Sequence, residues 1–203
     1  MDHQPRLLGN LSKGLVFVVS APAGTGKTTL VRLLTQEFAC VEESVSCTTR
    51  APRVGEVEGK DYHFLRQEEF QERIKAEDFL EYAEVFGKWY GTSKELVYQK
   101  VRQGKHVVLV IDTQGAQKLM AQSFEAVYIF IKPPSLEELQ QRLIQRKTED
   151  EKTREERLSW AQREMQAASA YDYQIVNAEL EVAYEVLRSI IIAEEHKVQR
   201  SIT

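Results

Sequence analysis

The sequence predicts an α/β fold, a parallel doubly wound sheet with helices on both faces. Three observations point there. Short, wholly apolar, β-branched runs recur along the chain, as strands buried on both faces require. Segments with apolar residues at helical spacing alternate with them, the rhythm of βαβ crossovers. The first run also passes through a glycine-containing turn straight into a helical segment. A chain of 203 residues is long enough to bury roughly 70% of its unfolded surface around a single core.

Taken in order, Leu15–Val19 reads as the first strand, and the helix after it carries Leu30, Leu33, Leu34 and Phe38. Val107–Ile111 is a second buried strand that ends at Asp112. Val127–Ile131 is a third, stopped by Pro133-Pro134, and Gln174–Val176 is a short fourth that precedes a helix from about Glu179 to Glu195. Two stretches break this rhythm. From Ser46 to about residue 100 the chain mixes Arg50, Arg53, Tyr62-His63-Phe64, a charged helix Gln67–Glu77 and the run Phe79–Tyr82, which reads as a small α+β insertion. Arg142 to Arg163 is densely charged and reads, by itself, as a solvated helical face with i,i+4 pairs. Trp160 and Met165 read as packing or hinge residues. The core then comprises about 14–45, 101–141 and 164–203 of one domain spanning 1–203, with 1–13 as an N-terminal arm.

Charge and cysteine content exclude several functions. The net charge is -4, from 27 basic and 31 acidic residues, so no global positive field exists to hold nucleic acid. Cys40 and Cys47 match no metal spacing and the four histidines are scattered. That argues against zinc and for free thiols in a reducing cytosol. No apolar run reaches membrane-spanning length, and Met1–Lys13 lacks the apolar segment of a secretory signal. The expectation is a cytoplasmic protein with neither nucleic acid nor membrane as a partner.

Ala21-Pro22-Ala23-Gly24-Thr25-Gly26-Lys27-Thr28, with Thr29 following, lies between a buried strand and a helix. That is the context of a phosphate-binding P-loop. Backbone N–H groups of such a loop form an anion nest, and the helix N-terminus adds its positive dipole end. Lys27 would reach the β- and γ-phosphates of ATP, and the Thr28 hydroxyl would take one position on Mg²⁺. Ala21 stands where the motif has its first glycine; backbone freedom matters more at Gly24 and Gly26, nearer the phosphates. A GTPase would read guanine with Asn-Lys-x-Asp, but the only asparagines, Asn10 and Asn177, sit in no such motif. A kinase acting on a second bound phosphate is the alternative.

Ser46 to Tyr62 supplies that second site. Arg50 and Arg53 flank a proline, and both guanidinium forks can converge on one phosphate. This stretch resembles the GMP-binding segment of guanylate kinases, and the resemblance extends from about Leu15 to Glu195. It implies a P-loop nucleoside monophosphate kinase fold with a GMP-binding insertion (about 46–100) and a helical lid (about 142–163). The implied reaction is ATP + GMP giving ADP + GDP. By the same resemblance Arg50, Arg53, Tyr62 and Tyr90 match residues that bind the GMP phosphate, and Glu56 the acid beside the arginines. Ser46, Glu81, Thr92 and Asp112 match residues around guanine. Arg142, Arg146 and Arg157 match lid arginines that approach the phosphates. Asp112 has two readings: a strand-end Asp beside a P-loop also suits Mg²⁺, and Val110 stands where many relatives carry an acid. Two rival functions remain, a guanylate-kinase-like recognition module and a kinase for another nucleotide such as AMP or UMP.

Overall fold

A computed structural model of the chain describes residues 6–85, 87–145 and 151–198. Its centre is a five-stranded parallel sheet. The strands are β1 (Val16–Ser20), β2 (Val41–Glu43), β7 (His106–Val110), β8 (Val127–Lys132) and β9 (Tyr173–Val176), in the order β2-β7-β1-β8-β9. Although β1 is apolar throughout, its side chains still alternate. Phe17 and Val19 join one core cluster, Val16 and Val18 the other. Each face therefore needs a cover, as a doubly wound sheet requires.

Helices α1 (Lys27–Glu37) and α7 (Leu180–Glu195) cover the first face with Leu30, Val31, Leu34, Leu187 and Ile191. Helices α3 (Lys94–Arg102) and α4 (Thr113–Ala121) cover the second with Val97, Val101, Ala116 and Leu119, joined by Ala168 and Tyr171. Val97 thus packs in this core cluster, although residues up to about 100 read from sequence as insertion. Met165 packs on the same face.

A second, four-stranded sheet is ordered β4-β3-β6-β5: β4 (His63–Phe64), β3 (Cys47–Thr48), β6 (Lys88–Ser93) and β5 (Phe79–Val85). Helix α2 (Gln67–Lys75) seals it with Phe70, which stacks on Phe79 at 4.6 Å between ring centroids. Helices α5 (Leu136–Gln145) and α6 (Glu151–Gln166) pair through Leu139, Leu158 and Ala161. The carboxyl ends of β1 and β7 open on the same side of the central sheet, where parallel α/β folds bind ligands.

Candidate active site

β1 runs directly into the glycine loop. Gly24 and Gly26 have φ of +92° and +94°, a conformation that L side chains resist. Gly26 also begins α1, and a Cβ there would stand 2.6 Å from Asn177 Nδ2. That amide donates to the Thr25 carbonyl at 2.7 Å, clamping the loop from the end of β9. Helix α1 has no acidic residue in its first turn, so its dipole favours an anion at this end. The Lys27 ammonium donates to the Ile111 carbonyl at 3.0 Å. Burial pushes its pKa down, against the opposing pull of Glu164, Asp112 and Glu43.

An acidic corner faces the loop. Glu81 on β5 lies opposite Thr92 on β6, with a register shift between Phe79 and Glu81, the kind of irregularity that re-aims a side chain. Glu81 is 5% exposed, and its Oε1 accepts from the Thr92 hydroxyl at 2.6 Å. Burial pushes its pKa up to about 7; the Thr92 bond opposes this and the Asp112 charge adds to it. Asp112 caps α4, its Oδ1 accepting from the Gly115 N–H at 2.8 Å. Glu164 arrives from α6 and accepts from the Thr113 hydroxyl at 3.5 Å. Its pKa is likewise pushed up to about 7 by burial, against the pull of Lys27.

Glycine loop and acidic corner enclose one cavity of about 350 Å³, within the size range of small-molecule sites. It brings together Ala21–Thr29, Ser46, Tyr62, Glu81, Tyr90 and Asp112. Thr92 is buried behind Glu81. Arg50, Arg53 and Glu56 form a turn outside the cavity wall. The Arg50 fork holds the Glu56 carboxylate at 2.8 and 3.0 Å, and the Arg53 N–H donates to the same group at 2.8 Å. This pairing pulls the Glu56 pKa down. The Arg50 guanidinium also lies 5.3 Å from the Tyr62 ring, which meets Tyr90 edge-on at 6.0 Å. Arg142 is not in the cavity wall either: it donates to Glu138 and to the Asn177 carbonyl, both at 3.1 Å. Arg146 lies outside the described residues, as does the side chain of Arg157.

Thr28 is exposed at the cavity. Its hydroxyl and the Asp112 carboxylate are hard oxygen donors, and few, which fits a Mg²⁺ ion that keeps most of its waters. Among the described residues no group of three or more His, Cys, Asp or Glu is placed to hold a metal ion. Sequence reasoning missed Glu164 and Asn177, and it read Trp160 as packing although it lines the cavity. Trp160 and Glu164 sit four apart on one helix, a spacing that puts them on one face; their charged surroundings hid it.

The chain matches the guanylate kinase family model over residues 13–194. It is 56% identical over 194 residues to a guanylate kinase of Protochlamydia amoebophila, covering 96% of this chain and 98% of that one. It is 50% identical over 183 residues to a guanylate kinase of Chlamydia muridarum, covering 90% and 89%. Among solved structures, guanylate kinase from Anaplasma phagocytophilum superposes with a TM-score of 0.76 at 38% identity, covering 92% of this chain and 88% of that one.

Proposed function

The chain belongs to the guanylate kinase family, enzymes that phosphorylate GMP with ATP, and from that premise we propose how its own residues select the acceptor and prepare the transfer. The observation that carries the reading is the pair Glu81 and Asp112 facing the glycine loop across one cavity. Guanine presents donors at N1 and N2 and an acceptor at O6. The two carboxylates accept from the donors. Thr92 gives its single proton to Glu81, so Ser46, in the cavity wall, is the hydroxyl left for O6. Adenine would set an acceptor against a carboxylate, and a site built on such bonds can reject the wrong base by about 10⁴.

The GMP phosphate docks on Arg50, Arg53, Tyr62 and Tyr90, with Glu56 anchoring the Arg50 guanidinium beside it. The glycine loop and Lys27 hold the phosphates of ATP. Mg²⁺ would be held by Thr28 and would supply charge neutralisation on those phosphates. The acceptor has a second pKa of about 6 and is already dianionic at neutral pH, so no general base is needed. What opposes reaction is repulsion between two anions, which Lys27, Arg50, Arg53 and the lid arginines Arg142, Arg146 and Arg157 offset. The insertion (about 46–100) and lid (about 142–163) close over both nucleotides and exclude water. The enzyme accepts dGMP as well and serves nucleotide salvage and GTP supply in the cytoplasm. No described helix is long and apolar enough to cross a membrane.

Coupled ADP-release assays with GMP, dGMP, AMP, UMP and CMP test the reading. Turnover with GMP and dGMP, and rates lower by about 10⁴ with AMP, are expected. Comparable turnover with AMP would refute carboxylate recognition of guanine. Absence of turnover with every acceptor would favour a recognition module.

A further inference from the structure

Gly115 occupies the third position of α4, inside a helix, where glycine is less favourable than alanine. Its backbone is helical, so no unusual φ demands it. The reason lies across the cavity corner. A Cβ on residue 115 would stand 2.5 Å from Glu81 Oε2, 3.1 Å from Glu81 Cδ and 3.4 Å from Asp112 Oδ1. A surface glutamate would swing away from such a contact. Glu81 cannot do so without loss: it is buried, and its other oxygen is held by Thr92 at 2.6 Å. The strand that carries it is also tied to α4 one turn further on, where the Lys118 ammonium donates to the Tyr82 carbonyl at 2.5 Å.

We propose that Gly115 is a specificity-positioning residue, whose missing side chain is the slot that lets the Glu81 carboxylate lie beside Asp112 and read guanine. The slot ties the insertion strand β5 to the core helix α4 at the atoms that select the base. Any side chain at 115 forces the Glu81 carboxylate either off Thr92 or out toward the cavity, where guanine must sit. The inference rests on the reading of Glu81 as a guanine contact.

The test is a set of single and double variants measured for KM of GMP, KM of ATP and melting temperature. Alanine suits a helix and offsets part of the cost of displacing Glu81, so Gly115→Ala is expected to fold. Its KM for GMP should rise at least tenfold while its KM for ATP stays within twofold. Glu81→Asp, one methylene shorter, weakens GMP binding by itself. In the Gly115→Ala background it makes room, so the double variant should recover at least fivefold in KM for GMP over Gly115→Ala alone. A merely structural glycine would give neither the GMP-against-ATP split nor the rescue. GMP binding by Gly115→Ala equal to wild type, with Glu81→Gln impaired, overturns the slot and leaves the Glu81 reading standing. Loss in Gly115→Ala without rescue also overturns it. Normal GMP binding by Glu81→Gln overturns the Glu81 reading, and the slot with it. If Gly115→Ala alone does not fold, the comparison of Gly115→Ala/Glu81→Asp with Glu81→Asp decides. An equal KM for GMP supports the slot, and a tenfold worse one overturns it.

Discussion

At the scale of residues, the candidate site is a problem of buried charge. Glu81 and Glu164 are both pushed up to about 7 by burial, well above the value each has in the unfolded chain. Between those two values the folded protein holds protons that the unfolded chain has released. Their contribution to stability is therefore full at acid pH and is lost as pH rises through about 7. Thermal melts of the free enzyme should show it: the Glu81→Gln/Glu164→Gln variant gains on wild type as pH is raised from about 5 to about 8. A constant difference would mean that neither carboxyl titrates there. Asp112→Asn should raise the KM for GMP by about ten- to a hundredfold, the value of a charge-assisted hydrogen bond, and leave the KM for ATP nearly unchanged. The reverse pattern in the two Michaelis constants would assign Asp112 to the metal instead. The glycine loop was legible because Gly24, Gly26, Lys27 and Thr28 fall at fixed spacing within one short loop, between a buried strand and a helix. Glu81 was legible only by resemblance, since neither it nor Glu84 in the same strand has a spacing that marks a site. Glu164 was not legible at all, because it is one acid among many on a charged helix.

At the scale of elements, the parallel core followed from its apolar runs, whereas β2, β6 and α3 did not. Val41-Glu42-Glu43 has one apolar residue, and its strand forms because β7 offers an edge for it. β6 contains Gly91, yet it pairs with both β3 and β5. Tertiary context thus decided what local propensity left open. Helix α7 and the segment before β1 are joined by a buried node that sequence gives no sign of. Glu195, near the end of α7, accepts from the N–H groups of Gly9 and Asn10 at 2.8 and 3.0 Å and from the Asn10 amide at 2.7 Å. The His106 ring meets it at 2.5 Å. The other ring nitrogen of His106 accepts from the Leu15 N–H at 3.1 Å, which fixes Nε2 as the donor to Glu195. Burial pushes the Glu195 pKa up, but these bonds outweigh it and hold it down to about 2. Its stabilising effect is present above the ordinary carboxylate range and is lost as pH falls toward 2. Glu195→Gln keeps the shape but sets an NH₂ against donors, and should destabilise the fold by about 1.5–3 kcal/mol in denaturant titrations. A change below about 0.5 kcal/mol would show that the arm is held by other contacts.

At the scale of the whole molecule, the net charge of -4 conceals a division of labour. Acidic residues line helices and one corner of the cavity, Lys27 lies in the cavity wall, and Arg50, Arg53 and Arg142 lie outside it. In this structure Arg50 is engaged by Glu56 and Arg142 by Glu138 and Asn177; on the proposed reading these groups are presented to the phosphates as insertion and lid close. Arg146→Ala should lower turnover by about 10³ while the Kd for GMP stays within about twofold; unchanged turnover would remove Arg146 from the catalytic set. Recognition of guanine by ionised carboxylates carries one direct thermodynamic signature. A Glu81 carboxyl that is half-protonated near pH 7 in the free enzyme must lose its proton to accept from guanine. Calorimetric titration of GMP at pH 7 in buffers of different ionisation enthalpy measures that proton. Wild type is expected to release protons on binding, in excess of Glu81→Gln by about half a proton per site. Identical proton release by the two proteins would contradict recognition of the base through Glu81.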